Sequence, residues 1–459
     1  MEKGPHTRLR SSLVAPGILA AVTLCLFILA PGSMDVPPMD DTYIHLVYGE
    51  SLFSGTPLCY GDAGPSSGFT SPLWLVPSSL ASLGGSEAGP LILMAFSLVT
   101  ACAVLFLLGP LTSALLLLAG PFLFHAASGM ETALSCLLVV AVWRWVQGDR
   151  VPWKGSLILM AAFLTRPELS VLVLPMASAM ERRTPRRLAV LVAPSVLMGI
   201  LWILWNLHAT GMPLPSTFYA KQPVSWFTAA GSGLPGLLKG LLITSPLVLF
   251  AAFLHIIDSL RKRGRRADRT AVALIPLLLF TVTLALQPNS YFQMRYYLPA
   301  ITAFVMAAGS WLQCLGGRRR RLNALILGIS MVPGTILFAG RRIEASADVM
   351  NIDVLPAVYL SGTAGGDETV AAADIGALGW MTDLGILDLD GLVTPERLPG
   401  PERAGWPWIE ERADYLLAFP SQYADLVEQS GGSLVFMEGF GSPAGVICGE
   451  DSVALWRIE

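Results

Sequence analysis

The chain has 459 residues, 53% of them hydrophobic and only 14% charged, with a formal net charge of −3 at pH 7. Soluble domains carry about 25% charged residues, so this composition, with several apolar runs of bilayer length, excludes an ordinary soluble protein and predicts a polytopic membrane protein. The basic residues cluster between apolar runs, and no nucleic-acid partner is expected.

The N-terminus is basic and then apolar for about 18 residues, longer than a usual signal-peptide core and without a clear A-x-A site, which reads as an uncleaved first span over 12–31. Further apolar runs lie at 88–109, 111–127, 131–147, 186–206, 236–257, 270–287, 297–315 and 322–340. Between 155 and 180, "GSLILMAAFLT" and "LSVLVLPMASAM" are split by "RPE", the apex of an expected short hairpin. The basic clusters are Lys3/Arg8/Arg10, Arg150/Lys154, 181–187, 261–269 and 318–321. With all of them cytoplasmic, the spans alternate consistently and number about eleven. That topology puts a first external loop (32–87), the tip near 128–131, 207–235, 288–296 and everything from about 341 on the extracytoplasmic side. The expected fold is an α-helical polytopic membrane domain (1–340) followed by a small extracytoplasmic α/β domain (341–459). In the first loop, "SPLWLVPSSLASLGG" (71–85) reads as a helix lying along the interface. In the second domain "TVAAADIG", "ILDLDG", "DYLLAF" and "SLVFMEGF" read as strands and "PSQYADLVEQSG" as a helix.

The first external loop opens with "PPMDDTYIHLVYGESLFSG". Asp40 and Asp41 begin a helical pattern, so a capping role competes with a general-base role and with joint binding of a divalent cation (Mg, Mn or Ca), which the pair admits without requiring. Glu131 in "SGMETAL" opens a span and either complements its N-terminus or lines a site. In "LTRPEL", Arg166 and Glu168 form an ion pair at the hairpin apex or present a cation to an anionic ligand. Arg295, among tyrosines that include Tyr296, and Lys221, close to Tyr219 in "PLPSTFYAKQP", are outward cations against the positive-inside trend. Outward cations beside outward acids suggest a site for a phosphate carried at the membrane surface. His45 and His208 are isolated, and a structural role outweighs a catalytic one for each. Cys59 and Cys448 can pair only if both face an oxidising compartment. No Gly-rich phosphate loop, Ser-His-Asp arrangement or zinc spacing is present in the sequence.

Seven motifs in order, "DDTYIHLVYGESLFSG", "GFTSPLW", "GMETAL", "LTRPE", "PLPSTFYAK", "RYYLP" and "DIGALGWMTDLGILDLDGL", resemble the GT-C superfamily of polytopic glycosyltransferases. The resemblance is to the branch that includes the terminal arabinofuranosyltransferase of mycobacterial cell walls. It implies a polyprenyl-phosphate-linked sugar donor and an extracytoplasmic glycan, lipid or protein acceptor. It also implies a catalytic acid in the first external loop, here Asp40 with Asp41 adjacent, and an acceptor-binding C-terminal domain. Arg295, Lys221 and Arg166 are then the expected phosphate ligands, and Glu131, His45, Tyr296 and Tyr219 the expected site lining. The chain departs from the family pattern at Val47, where Arg is common, at Ser51, where Asn is common, and at Ser216, where the motif usually has Asn. The expected activity is inverting single displacement with Asp40 as base. A flippase or transporter of lipid-linked sugars, or a non-catalytic membrane scaffold, is the alternative, and the absence of an internal repeat argues against a transporter.

Overall fold

Proline and glycine interrupt several stretches that hydropathy alone reads as continuous spans. A computed structural model describes residues 13–23, 35–61, 64–180, 183–220, 235, 238–261, 267–286, 293–397, 405–442, 444–446 and 450–459. Lys221, Cys448 and the basic N-terminus lie outside the described residues.

The helices, in chain order, begin with α1 (Leu13–Thr23), α2 (Asp41–Ser51), α3 (Leu75–Ser82), α4 (Gly85–Leu107), α5 (Pro110–Leu117), α6 (Gly120–His125), α7 (Thr132–Gln147) and α8 (Pro152–Thr165). They continue with α9 (Val173–Ala179), α10 (Pro185–Thr210), α11 (Ser216–Ala220), α12 (Leu238–Thr244), α13 (Pro246–Arg261), α14 (Ala267–Leu286), α15 (Leu298–Gln313), α16 (Gly317–Val349) and α17 (Leu355–Thr363). Among the described residues, three helical stretches are long and apolar enough to cross a membrane: α4, α10 and the run from α16 through α17. The bent pair α12–α13 makes a fourth if it is counted as one span, and several further apolar helices are shorter. This is fewer than the expected count of about eleven.

The run at 111–127 is two short helices rather than one span. The chain is extended at Ala119, and Pro121 opens α6. The Leu118 carbonyl freed at this break accepts a hydrogen bond from Thr335 Oγ1 at 2.6 Å. Gly120 lets α6 press onto α16, since a Cβ there would sit 2.4 Å from the Gly334 carbonyl oxygen. Likewise 236–257 folds as α12 and α13, bent by 101° at Pro246. The "RPE" apex is an extended Arg166 that ends α8, followed by a 3₁₀ turn (Pro167–Leu172) and α9. The helix expected within 71–85 is present as a 3₁₀ turn (Pro72–Trp74) running into α3.

The expected boundary near 340 falls inside α16, which continues through a π turn (Met350–Val354) into α17. Beyond it five strands form one sheet: β1 (Thr369–Ala372), β2 (Gly385–Asp388), β3 (Tyr415–Ala418), β4 (Leu434–Gly441) and β5 (Ser452–Ile458). Their order is β2-β1-β3-β5-β4. β1 runs parallel to β2 and β3, whereas β5 is antiparallel to β3 and β4. Three short helices, α18 (Gly376–Met381), α19 (Trp406–Glu410) and α20 (Ala424–Gln429), connect the strands.

The helical bundle has its own apolar core. A second core joins α2 and the segment after it to the sheet region, packing Tyr43, Tyr48, Tyr60 and Trp74 with Ile375, Leu378, Trp380 and Leu455. The first loop and the C-terminal sheet are therefore parts of one packed unit.

Three backbones meet at Gly334, where a Cβ would lie 2.4 Å from the Ile243 carbonyl oxygen. Gly334→Ala should lower stability by about 1–3 kcal/mol through overpacking. Gly328→Ala, where a Cβ would sit 3.6 Å from Leu118, should be neutral or stabilising, as expected for Ala replacing Gly in a helix. Thermal unfolding midpoints in detergent check both.

Candidate active site at the junction of α2, α7, α8 and α15

Glu131 is the hub. It precedes α7 and has no exposure to water. Its loop is set by the sequence "SGM": Gly129 has φ +79°, and a Cβ there would lie 2.4 Å from Thr42 Cγ2. The loop carbonyls are taken up by neighbours. Thr42 Oγ1 donates to Ser128 O at 2.9 Å, Trp74 Nε1 to Gly129 O at 2.9 Å and Ser97 Oγ to Met130 O at 2.9 Å. These bonds seat the loop on α2, α4 and the turn before α3.

Two guanidiniums converge on the Glu131 carboxylate. Arg166 Nε donates to Oε1 at 3.0 Å, and one terminal nitrogen of Arg295 reaches Oε1 at 3.1 Å and Oε2 at 3.2 Å. His45 Nε2 lies 3.6 Å from Oε2. The outer side of each arginine meets a further acid: Arg166 donates to Glu168 at 3.1 Å, and Arg295 donates to Asp41. The Tyr296 ring lies 4.5 Å from the Arg166 guanidinium and 5.6 Å from that of Arg295, close enough for cation–π contact. Burial pushes the Glu131 carboxyl up, but Arg295 and then Arg166 outweigh it and hold it well below the usual carboxylate range. Both arginines are themselves buried, at 3% and 4% exposure, so removing the shared carboxylate would leave two buried charges.

The two aspartates have different surroundings. Asp41 is 31% exposed at the side chain and bonded to Arg295. Asp40 is 8% exposed, and both its oxygens are occupied: Oδ2 accepts from Gly376 N–H at 2.6 Å and Oδ1 from Ala377 N–H at 2.8 Å. Among the described residues, three buried polar atoms at the cluster have no hydrogen-bond partner: Arg295 Nε, His45 Nδ1 and Thr132 Oγ1.

Asp41, Glu131, His45, Arg166, Arg295 and Tyr296, singled out from sequence, are thus brought together. Tyr219 sits on α11 with its ring edge-on to Phe218 at 5.5 Å. Lys221 lies outside the described residues. Cys59 is a buried free thiol. The residues that sequence reasoning passed over are Gly376 and Ala377, which hold Asp40, and Gln293 and Met294, which precede Arg295 with φ +47° and +66°. Only the glycine in "DIGALG" offered a signal, because a main chain that must approach a carboxylate closely favours that residue.

Comparisons with known proteins agree on the architecture. The family described as "Domain of unknown function (DUF8728)" matches residues 354–454, the sheet region with α17. No curated protein matches the chain. The structure of ArnT from Cupriavidus metallidurans bound to undecaprenyl phosphate superposes with a TM-score of 0.61 at 13% identity, covering 96% of this chain and 97% of that one. The same enzyme in the apo state gives 0.56 at 14% identity, with coverage of 96% and 97%. Arabinofuranosyltransferase AftD from Mycobacteria gives 0.45 at 15% identity, covering 96% of this chain and 41% of that one. The chain shares the fold of these ArnT structures.

Glu131→Gln should cost about 3–5 kcal/mol, because it leaves two buried guanidiniums under-compensated. Glu168→Gln should cost less than about 1 kcal/mol, since Glu168 is 25% exposed. Thermal unfolding of the two variants side by side checks the contrast.

A pH dependence follows from Asp40. Burial pushes its carboxyl up to about 7, against the two main-chain N–H donors. Asp41, Asp353, Tyr43 and Tyr60 are the titratable groups around it. An unfolded Asp titrates near 3.9, so between about 4 and 7 the folded state binds the extra proton, and stability falls as pH rises through this window. Unfolding midpoints of the wild type should decline more from pH 5 to pH 8 than those of Asp40→Asn.

Proposed function

We propose that the chain is a membrane glycosyltransferase that moves a sugar from a polyprenyl-phosphate donor to an extracytoplasmic glycan, lipid or protein acceptor by inverting single displacement. The observation that carries this reading is the half-exposed Asp41 on Arg295, itself anchored by buried Glu131. The fold shared with ArnT, whose solved structure holds undecaprenyl phosphate, supports the class of donor.

Polyprenyl phosphate is already a leaving group, so the protein must supply a base for the acceptor hydroxyl and cations for the departing phosphate. Arg295 is assigned the phosphate. Among the described residues its buried Nε–H has no partner, and its outer nitrogen holds a partly exposed carboxylate that the donor's phosphate diester, singly charged until the sugar departs, must displace. Arg166, fixed against Glu131 and Tyr296, adds positive potential, and Lys221 is assigned the same role from sequence. Asp41, displaced from Arg295 by the donor, is the carboxylate assigned to accept the acceptor's proton. The base role goes to Asp41 rather than Asp40, because Asp40 is buried with both oxygens on main-chain N–H groups. A divalent cation fits this pair poorly: Asp40 is held by two amides and Asp41 by a guanidinium, and among the described residues no group of three or more His, Cys, Asp or Glu is disposed to hold a metal. No step in this mechanism runs through one.

Purified Asp41→Asn, in lipid with a labelled polyprenyl-phosphate sugar, should transfer about 10²- to 10⁴-fold more slowly. It should bind polyprenyl phosphate as well as the wild type or better, because a competing carboxylate is gone. Wild-type transfer by this variant would refute the base assignment. Movement of intact lipid-linked sugar across vesicles, with no glycosidic bond formed, would replace the enzyme by a transporter.

A further inference from the structure

The geometry points to a role for the C-terminal sheet region in the chemistry: it grips the chain beside each partner of the Asp41–Arg295 pair, through Asp40 and Gln293, and so holds that pair in its working register. The inference rests on the glycosyl-transfer reading above, and it gives residues 354–454, matched to a domain of unknown function, a positioning role.

The first grip is on α2. The N–H groups of Gly376 and Ala377 at the start of α18 hold the Asp40 carboxylate at 2.6 and 2.8 Å, one residue before Asp41. The approach tolerates no side chain at Gly376, where a Cβ would lie 2.3 Å from the Asp40 carbonyl oxygen and 2.5 and 2.6 Å from its carboxylate oxygens. Tyr60 OH donates to Ile375 O at 2.7 Å, and Trp380 Nε1 donates to Ser86 O at 3.1 Å. These bonds fix α18 against the middle and the far end of the first loop. The buried Asp40 carboxylate thus caps the first two N–H groups of α18 from 336 residues away and ties α18 to α2.

The second grip is on the turn that carries Arg295. Gln293 and Met294 are consecutive non-glycine residues in the left-handed region, a conformation that persists only where surrounding contacts impose it. Three contacts on Gln293 do so. His125 Nε2 lies 3.0 Å from its carbonyl oxygen, Arg341 donates to its Oε1 at 3.3 Å, and its Nε2 donates to the Val446 carbonyl at 3.0 Å. Val446 belongs to the connection between β4 and β5, and Asp348 on α16 holds that connection through Val446 N–H and Ser442 Oγ. The sheet region thus supplies one of the three constraints on a turn whose next residue but one is Arg295. Angular freedom there moves a guanidinium that must meet a phosphate, and misplacement of a positioning group by about 1 Å can cost on the order of 10²-fold in rate.

The test uses the full chain in lipid, with polyprenyl phosphate binding and single-turnover transfer measured together. Gln293→Glu keeps the acceptor for Arg341 and loses the donor to Val446. It should weaken polyprenyl phosphate binding about tenfold. Asp40→Asn keeps the shape of the side chain but sets an amide against one of the two N–H groups, and Gly376→Ala pushes α18 away. Both should lower the single-turnover rate constant about 10²-fold, with binding changed less than about threefold. A role in folding alone would instead reduce the burst amplitude and leave the rate constant and Kd of the remaining enzyme at wild-type values. That outcome overturns the inference, as does wild-type behaviour in all respects. Retained transfer by Asp41→Asn would overturn the underlying reading instead.

Discussion

A carboxylate sealed from water between two guanidiniums governs the rest of this structure. Placing an ion in a protein interior costs several kcal/mol even after relaxation, and only close, well-directed partners offset it. Glu131 has those partners because four separate segments converge on it. The loop before α7 presents the acid, the extended end of α8 delivers Arg166, the turn before α15 delivers Arg295, and α2 contributes His45 and, through Arg295, Asp41. Two of these segments keep a left-handed backbone, at Gly129 in one and at Gln293 and Met294 in the other. The strain and the buried charge belong to the same place, as expected where a protein stores geometry for chemistry.

The cations of the cluster are not simply waiting for a ligand. Every guanidinium in it already faces a carboxylate, so an incoming anion must compete. Competition is easiest at Asp41, the most exposed of the acids there, and hardest at Glu131. This gradient explains how one array can be both a rigid support and an exchangeable contact. Arg295 is fixed on its inner side by Glu131 and exchangeable on its outer side. A lysine, whose compact charge lacks the planar fork, could not hold two carboxylates in that way.

Much of the cluster was legible in the sequence because membrane proteins penalise charge. Asp41, Glu131, Arg166 and Arg295 stood out as ionised residues beside apolar runs, and the structure brings them into contact. Four of the five strands were legible as short apolar runs between turn residues, whereas β5 was not read from the sequence. Two things were not. Hydropathy measures transfer of side chains and is blind to a helix break at Ala119 or a bend at Pro246, so several runs that read as continuous are broken helices. The different environments of Asp40 and Asp41 were hidden because residue type cannot reveal which of two adjacent acids meets a pair of main-chain amides from 336 residues away. Those amides carry no side-chain signature at all.

The wide sequence separation of the contacts has a consequence for biogenesis. Asp41 and Arg295 are 254 residues apart, and Asp40 and Gly376 are 336 apart. A chain made from its N-terminus therefore carries Asp41 for more than half of its length, and Glu131 for about a third, before Arg295 is added. Until then Arg166 is the only one of the two guanidiniums available to Glu131. Asp40 waits longer still, until the sheet region has been delivered. A chain not yet extended to Ala377 lacks the two amides that hold Asp40, so the array cannot be complete before the sheet region is made.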